Sequence, residues 1–198
     1  MSINYDSLSL ETPFLNESHH QWRAQVRRFV QSEISPYIEQ WEEQGEVPLS
    51  LWSKAAEIGL LQLGYPEEFG GISEGIDIFH SMIASEELAQ CGATGITASL
   101  TIHNIGLPPV SNFAKDAIKQ LVVPPVLSGT KRISLGITEP GAGSDVASLT
   151  TTAKKEKDQY IVNGSKTFIS GGMRADWLTT AVRTGGEGAG GISLLLIP

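Results

Sequence analysis

The sequence predicts an α+β chain. An N-terminal α-helical domain over residues 1–131 is followed by a middle β domain over residues 132–198, an antiparallel barrel-like or sandwich arrangement incomplete at its C-terminal end. Two observations carry this. Before Ile133 the apolar residues recur at helical spacing, as in Trp22, Val26, Phe29 and Val30, and again in Ile76, Phe79 and Ile83. After it they fall into short, β-branched runs punctuated by glycine and by charged turns.

Taken in order, residues 1–13 are polar and expected to be loosely held. A helix begins at Asn16, and its apolar stripe is core. Pro36 restarts the chain into a short helix through Ile38 and Trp41, which Gly45 ends. Pro48 and Ser50 open another, with Leu51, Ala55 and Ile58 on one face and Gly59 closing it. Tyr65-Pro-Glu-Glu-Phe-Gly-Gly71 is a turn-rich connection. Helices follow over residues 76–89 and 93–105; the second is rich in small residues and Thr, which allow close packing or leave room for a ligand tail. Pro108-Pro109 is expected to break the pattern, and Asn112 to Val122 to make one more helix, stopped by Pro124-Pro125. Strands are expected at Ile133–Ile137, Leu149–Ala153, Tyr160–Val162, Ser165–Ile169, Ala175–Arg183 and Ile192–Ile197. Lys154 to Asp158 reads as a solvated turn and Asn163-Gly164 as a two-residue hairpin.

Composition bounds the function. A chain of 198 residues is long enough to bury a substantial core. A net charge of −8 argues against nucleic acid or an anionic membrane as the main partner, while leaving room for a local anion site. The single Cys91 excludes an internal disulfide and suits a reducing compartment. No apolar run approaches a membrane span, and the first residues carry neither a signal peptide nor an amphipathic presequence, so a soluble cytoplasmic protein is expected. No metal site is expected: His19 and His20 are adjacent and diverge, and His80 and His103 lack ligand-type neighbours at suitable spacing. Cys91 reads as a packing residue. Glu86 and Glu87 share a helix, where a structural ion pair or a buried acid–base dyad are both open.

The chemistry concentrates in Ile133–Leu149. There a short buried strand runs into Thr-Glu-Pro-Gly-Ala-Gly-Ser-Asp. Pro140 pushes Glu139 out of helical space, and Gly141 and Gly143 permit close backbone approach, so the loop can offer backbone donors to a planar, oxygen-rich ligand. It is not a dinucleotide fingerprint, because Val146 stands at the third glycine and no helix follows.

Ile137-Thr-Glu-Pro-Gly-Ala-Gly-Ser-Asp-Val-Ala-Ser148 strongly resembles the signature of the acyl-CoA dehydrogenases. Tyr160-Ile-Val-Asn-Gly-Ser-Lys-Thr-Phe-Ile-Ser-Gly-Gly172 resembles their second flavin-contacting segment. The resemblance implies FAD, an acyl-CoA substrate and oxidation to the trans-2-enoyl-CoA. It places Leu135, Ile137 and Thr138 along the flavin pyrimidine edge, and Gly143 and Ser144 near cofactor and ligand, with Ser144 touching the acyl-CoA. Phe168, Ile169 and Ser170 match the positions that pack on the flavin and reach its N5; Phe168 and Ser170 stand where the family often has Trp and Thr. The implied mechanism is α-proton removal by a carboxylate with hydride transfer from Cβ to N5. That carboxylate belongs to a C-terminal helical domain in the family, and nothing in residues 1–198 matches it, so no catalytic residue is assigned here and the isolated chain is expected to be inactive. The resemblance also implies fatty-acid β-oxidation, an acceptor such as electron-transfer flavoprotein, and a homo-oligomer in full-length form. The rival readings are an acyl-CoA oxidase or flavin monooxygenase on the same scaffold, and a non-catalytic flavin- or acyl-CoA-binding module.

Overall fold

Asn16 opens the first helix because its side chain replaces the missing helical acceptors. In a computed structural model, which describes residues 12–198, Asn16 Oδ1 accepts from the backbone N–H groups of Ser18 and His19 at 2.9 and 3.3 Å. His19 Nδ1 in turn accepts the Asn16 N–H at 3.0 Å, closing a capping box around α1 (Glu17–Phe29). The expectation for residues 1–11 lies outside the described residues. A π-helical turn, Val30–Ile34, leads towards α2 (Ile38–Gln44), which ends on Gly45 at φ 66°. α3 (Ser50–Glu57) follows, and then α4 (Ile78–Ala89), capped by Asp77 and His80 just as α1 is by Asn16 and His19. α1 lies against α4, where Trp22 Nε1 donates to His80 O at 2.9 Å. Val26, Ile34, Leu51, Ile83 and Leu100 are part of the core of the helical half.

Glu87 is buried within that packing. Its carboxylate accepts from Arg23 Nη1 at 2.9 Å, Arg27 Nε at 2.8 Å and Gln90 Nε2 at 3.0 Å. Glu86 is exposed and pairs outside, with Arg23 Nη2 at 2.7 Å. The two carboxylates are therefore an ion-pair network holding α1 to α4, and not an acid–base dyad.

The helix expected over residues 93–105 is split into α5 (Thr94–Thr101) and α6 (His103–Gly106). At the split His103 is 5% exposed, with Nε2 3.1 Å from Leu61 O. Burial pushes its imidazole down to about 4, against the opposing hydrogen bonds to Leu100 and Leu61. The unfolded chain takes up this proton near pH 6.5 and the folded one only near 4, so stability falls as pH drops through that window, by about 3 kcal/mol in all. Urea midpoints measured from pH 7 to pH 4 are expected to show this decline, and His103→Gln to remove that share of it.

The prolines act otherwise than expected. Pro108 and Pro109 start α7 (Pro108–Phe113) instead of breaking the pattern, since a first-turn N–H needs no partner. Pro124 and Pro125 lie inside α8 (Asp116–Leu127). The bonds they forgo are to the carbonyls of Gln120 and Leu121, both exposed residues. Pro125 O then accepts from Thr130 and Lys131 N–H at 3.1 and 2.9 Å, which closes the helical half.

Five strands follow: β1 (Ile133–Gly136), β2 (Thr152–Glu156), β3 (Gln159–Asn163), β4 (Trp177–Arg183) and β5 (Ile192–Ile197). β4 is central, antiparallel to β5 but parallel to β1, with Ile133 opposite Trp177 and Gly136 opposite Thr180. β2 meets β4 in parallel at Thr152 and Arg183. The sheet is thus mixed, where a purely antiparallel one was expected. The reason is the long excursion between β1 and β4, which works as a crossover and returns the chain in the same direction.

Asn163-Gly164 is not a hairpin turn either. β3 already pairs back on β2 through a turn at Lys157, at φ 55°. Gly164 instead lies where a Cβ would come 2.3 Å from Thr151 Oγ1, and residues 165–169 leave the sheet. Helices and sheet are joined at Thr179, whose hydroxyl donates to Gly106 O at 2.6 Å, and at Arg174, whose Nη1 donates to Val47 O at 2.7 Å. Among the described residues no helix is long and apolar enough to cross a membrane.

Candidate functional site

Residues 165–169 leave the sheet because they are drawn to the end of β1. The Thr167 N–H donates to Thr138 O at 2.9 Å, and Lys166 Nζ donates to Ile137 O at 2.8 Å. Lys166 Nζ also donates to Glu139 Oε1 at 2.8 Å. These bonds lay the second motif beside the first, across nearly thirty residues of intervening chain.

Glu139 is the hub. It is 5% exposed, and its carboxylate also accepts from the Thr150 N–H at 2.7 Å, the Thr150 hydroxyl at 2.8 Å and the Thr151 N–H at 2.9 Å. Burial alone would push this carboxyl up, but the bonds from Lys166, Thr150 and Thr151 outweigh it and hold the group well below the usual carboxylate range. The backbone closes a tight turn here, with Glu139 N–H to Ala142 O at 2.8 Å. Arg183 braces the far end of the loop, donating from Nη2 to Ala147 O at 2.7 Å and from Nε to Leu149 O at 3.0 Å. Sequence reading missed Glu139, Lys166 and Arg183, because nothing local marks a charge as buried when its partner is distant in the chain.

On this frame stand the expected site residues. Leu135, Ile137 and Thr138 are half-buried along β1 and its exit. Gly143 and Ser144 are exposed on the loop, and neither backbone N–H meets a protein acceptor among the described residues. Phe168 is 92% exposed and held at φ 54°, a conformation that disfavours any residue with a Cβ. Ile169 is half-buried beside it, and Ser170 is exposed. Free backbone donors on the first motif and an outward-facing aromatic ring on the second suit a flat ligand with acceptor oxygens.

A second group of side chains converges where none was expected. His19 Nε2 lies 2.9 Å from Asp77 Oδ1, and His80 Nδ1 lies 2.9 Å from the same oxygen. Asp77 thus supplies His80 with the carboxylate neighbour that the spacing argument overlooked. The bonds from His19 and His80 pull the Asp77 carboxyl down to about 2. His19 Nδ1 accepts a backbone N–H, which leaves Nε2 as the atom that donates a hydrogen bond to Asp77. The three side chains thereby join the caps of α1 and α4.

An all-helical half joined to a mixed sheet, with paired glycine and aromatic loops at one sheet edge, has a clear counterpart among known proteins. Residues 16–130 match the acyl-CoA dehydrogenase N-terminal domain and residues 134–198 the acyl-CoA dehydrogenase middle domain, so the chain belongs to the acyl-CoA dehydrogenase family. It is 38% identical to acyl-CoA dehydrogenase apdG of Emericella nidulans, over 96% of this chain and 47% of that protein. A crystal structure of a probable acyl-CoA dehydrogenase from Mycobacterium abscessus superposes with a TM-score of 0.87 at 48% identity, over 92% of this chain and 48% of that one. PigA, solved as its FAD complex, superposes with a TM-score of 0.85 at 25% identity, over 95% of this chain and 49% of its own. The chain therefore spans about half the length of these relatives.

Proposed function

We propose that this chain is the flavin-holding portion of an FAD-dependent enzyme that oxidises an acyl-CoA to its trans-2-enoyl-CoA. The observation that carries this reading is the pair of bonds from Lys166 and Thr167 to Ile137 and Thr138, which makes one surface of the two motifs. Bound FAD supplies the acceptor for a hydride from the acyl Cβ. Leu135, Ile137 and Thr138 would hold its pyrimidine edge, Phe168 and Ile169 would cover the ring, and Ser170 would donate towards N5, where charge builds. Gly143 and Ser144 would offer backbone donors to the cofactor, with the Ser144 hydroxyl left for the acyl-CoA. The base that takes the α-proton is assigned to a part of the protein beyond residues 1–198, so this stretch alone would bind FAD without turning over. Electrons would pass to an acceptor such as electron-transfer flavoprotein, in the cytoplasm.

The test is an anaerobic titration of the 198-residue chain with FAD, followed by saturating acyl-CoA. Saturable FAD binding without bleaching is expected; catalytic bleaching with enoyl-CoA formed would place a base within this chain. In a full-length enzyme Ser144→Ala is expected to weaken acyl-CoA binding about fivefold, the worth of one hydrogen bond, and to leave FAD bound. An unchanged acyl-CoA dissociation constant would remove Ser144 from the site.

A further inference from the structure

Thr138 has an anchored carbonyl and a bare amide. Its C=O accepts the Thr167 N–H at 2.9 Å, but its own N–H meets no acceptor among the described residues. That N–H belongs to the peptide unit whose oxygen is Ile137 O, and Ile137 O accepts from Lys166 Nζ at 2.8 Å. The unit is trans and planar, so its C=O and N–H point in opposite directions. Lys166 therefore holds the unit from behind. The Thr138 N–H faces away from the ammonium, on a half-buried residue and without a partner.

An ammonium bonded to the oxygen of an amide draws electron density from its nitrogen. The N–H becomes a stronger donor, as it does along a chain of hydrogen bonds. The Lys166 side chain is mostly buried, so water screens the effect little. Glu139 Oε1 lies 2.8 Å from the same ammonium, so the pair brings no net charge to the site. What it brings is direction. The positive end rests on Ile137 O, and the negative end is turned towards Thr150 and Thr151.

We infer that Lys166 is a positioning residue that acts through Thr138, aiming and strengthening the Thr138 N–H for a ligand atom that gains negative charge when the ligand is reduced. Naming that ligand as flavin rests on the function proposed above. A donor strengthened in this way favours reduced over oxidised cofactor, and so raises its reduction potential.

One measurement without cofactor and one with it test this. In the FAD-free, isotopically labelled 198-residue chain, the Thr138 amide nitrogen is expected to shift upfield when Lys166→Met is combined with Glu139→Gln. Glu139→Gln alone keeps the ammonium on Ile137 O and should leave that signal close to its wild-type position. With FAD bound, the double variant is expected to favour reduced over oxidised cofactor about tenfold less than wild type, a potential lower by about 30 mV. Its net charge at the pair matches the wild type, so the fall reports the direction of the pair and not its charge. Glu139→Gln alone removes only the opposing carboxylate and should match or exceed the wild-type potential. A lower one would overturn the inference, even if the double variant failed to fold. A wild-type potential in the double variant, or a Thr138 nitrogen that ignores the loss of Lys166, would overturn it too. FAD binding with an unmoved potential contradicts this inference alone; the Thr138 shift in a chain that binds no FAD supports it and contradicts the flavoprotein reading alone.

Discussion

Lys166→Met is expected to destabilise the chain by about 3–5 kcal/mol at pH 7, the cost of leaving a buried carboxylate without its cation. Glu139 would keep its bonds from Thr150 and Thr151 but lose the only ammonium within its reach in the described structure. The pH dependence follows from the direction of the shift. In the wild type Glu139 is held below its unfolded range, so its stabilisation is full above about pH 4.5 and is lost as pH falls towards the folded value. In the variant burial acts with less opposition and the carboxyl protonates more readily. The gap between wild type and variant should therefore narrow as pH drops from 7 to 4. Urea unfolding at the two pH values measures it, and equal midpoints at pH 7 would show that the pair contributes nothing. Adding Glu139→Gln should recover part of the loss, since it removes the stranded charge.

Phe168→Gly separates what a residue does for folding from what it does for a ligand. The ring is almost wholly exposed, so its removal takes nothing from the core. Glycine also relieves the left-handed backbone at φ 54°, which offsets the extra freedom it gives the unfolded chain. Stability is expected to stay within about 1 kcal/mol of wild type. FAD affinity is expected to fall roughly tenfold to a hundredfold, the worth of a buried phenylalanine ring. Intact FAD binding in this variant would mean that Phe168 faces outward for another reason.

Much of the helical half was legible because its signals are local. Asn16 caps α1 through atoms two and three residues away, and Gly45 ends α2 by adopting a conformation other residues avoid. The misreadings have the opposite cause. Pro108 and Pro109 looked like breakers because a proline breaks or starts a helix according to which carbonyls lie behind it, and that depends on the fold. Asn163-Gly164 has hairpin chemistry, but β3 had already found β2, and Lys166 and Thr167 pull the next segment across to β1. Asp77 was legible three residues before His80; its meeting with His19, on another helix, was not. In the candidate site, the Lys166 ammonium that ties the two segments together has partners at Ile137 and Glu139 that no spacing rule connects to it.

That connection is the central claim, and amide chemical shifts test it most directly. FAD added to the isotopically labelled 198-residue chain is expected to move the N–H signals of Thr138, Gly143, Ser144, Phe168 and Ser170 together, along one saturation curve. Movement of only one of the two segments, shifts confined to other parts of the chain, or no saturable change would contradict a single flavin surface built from both motifs.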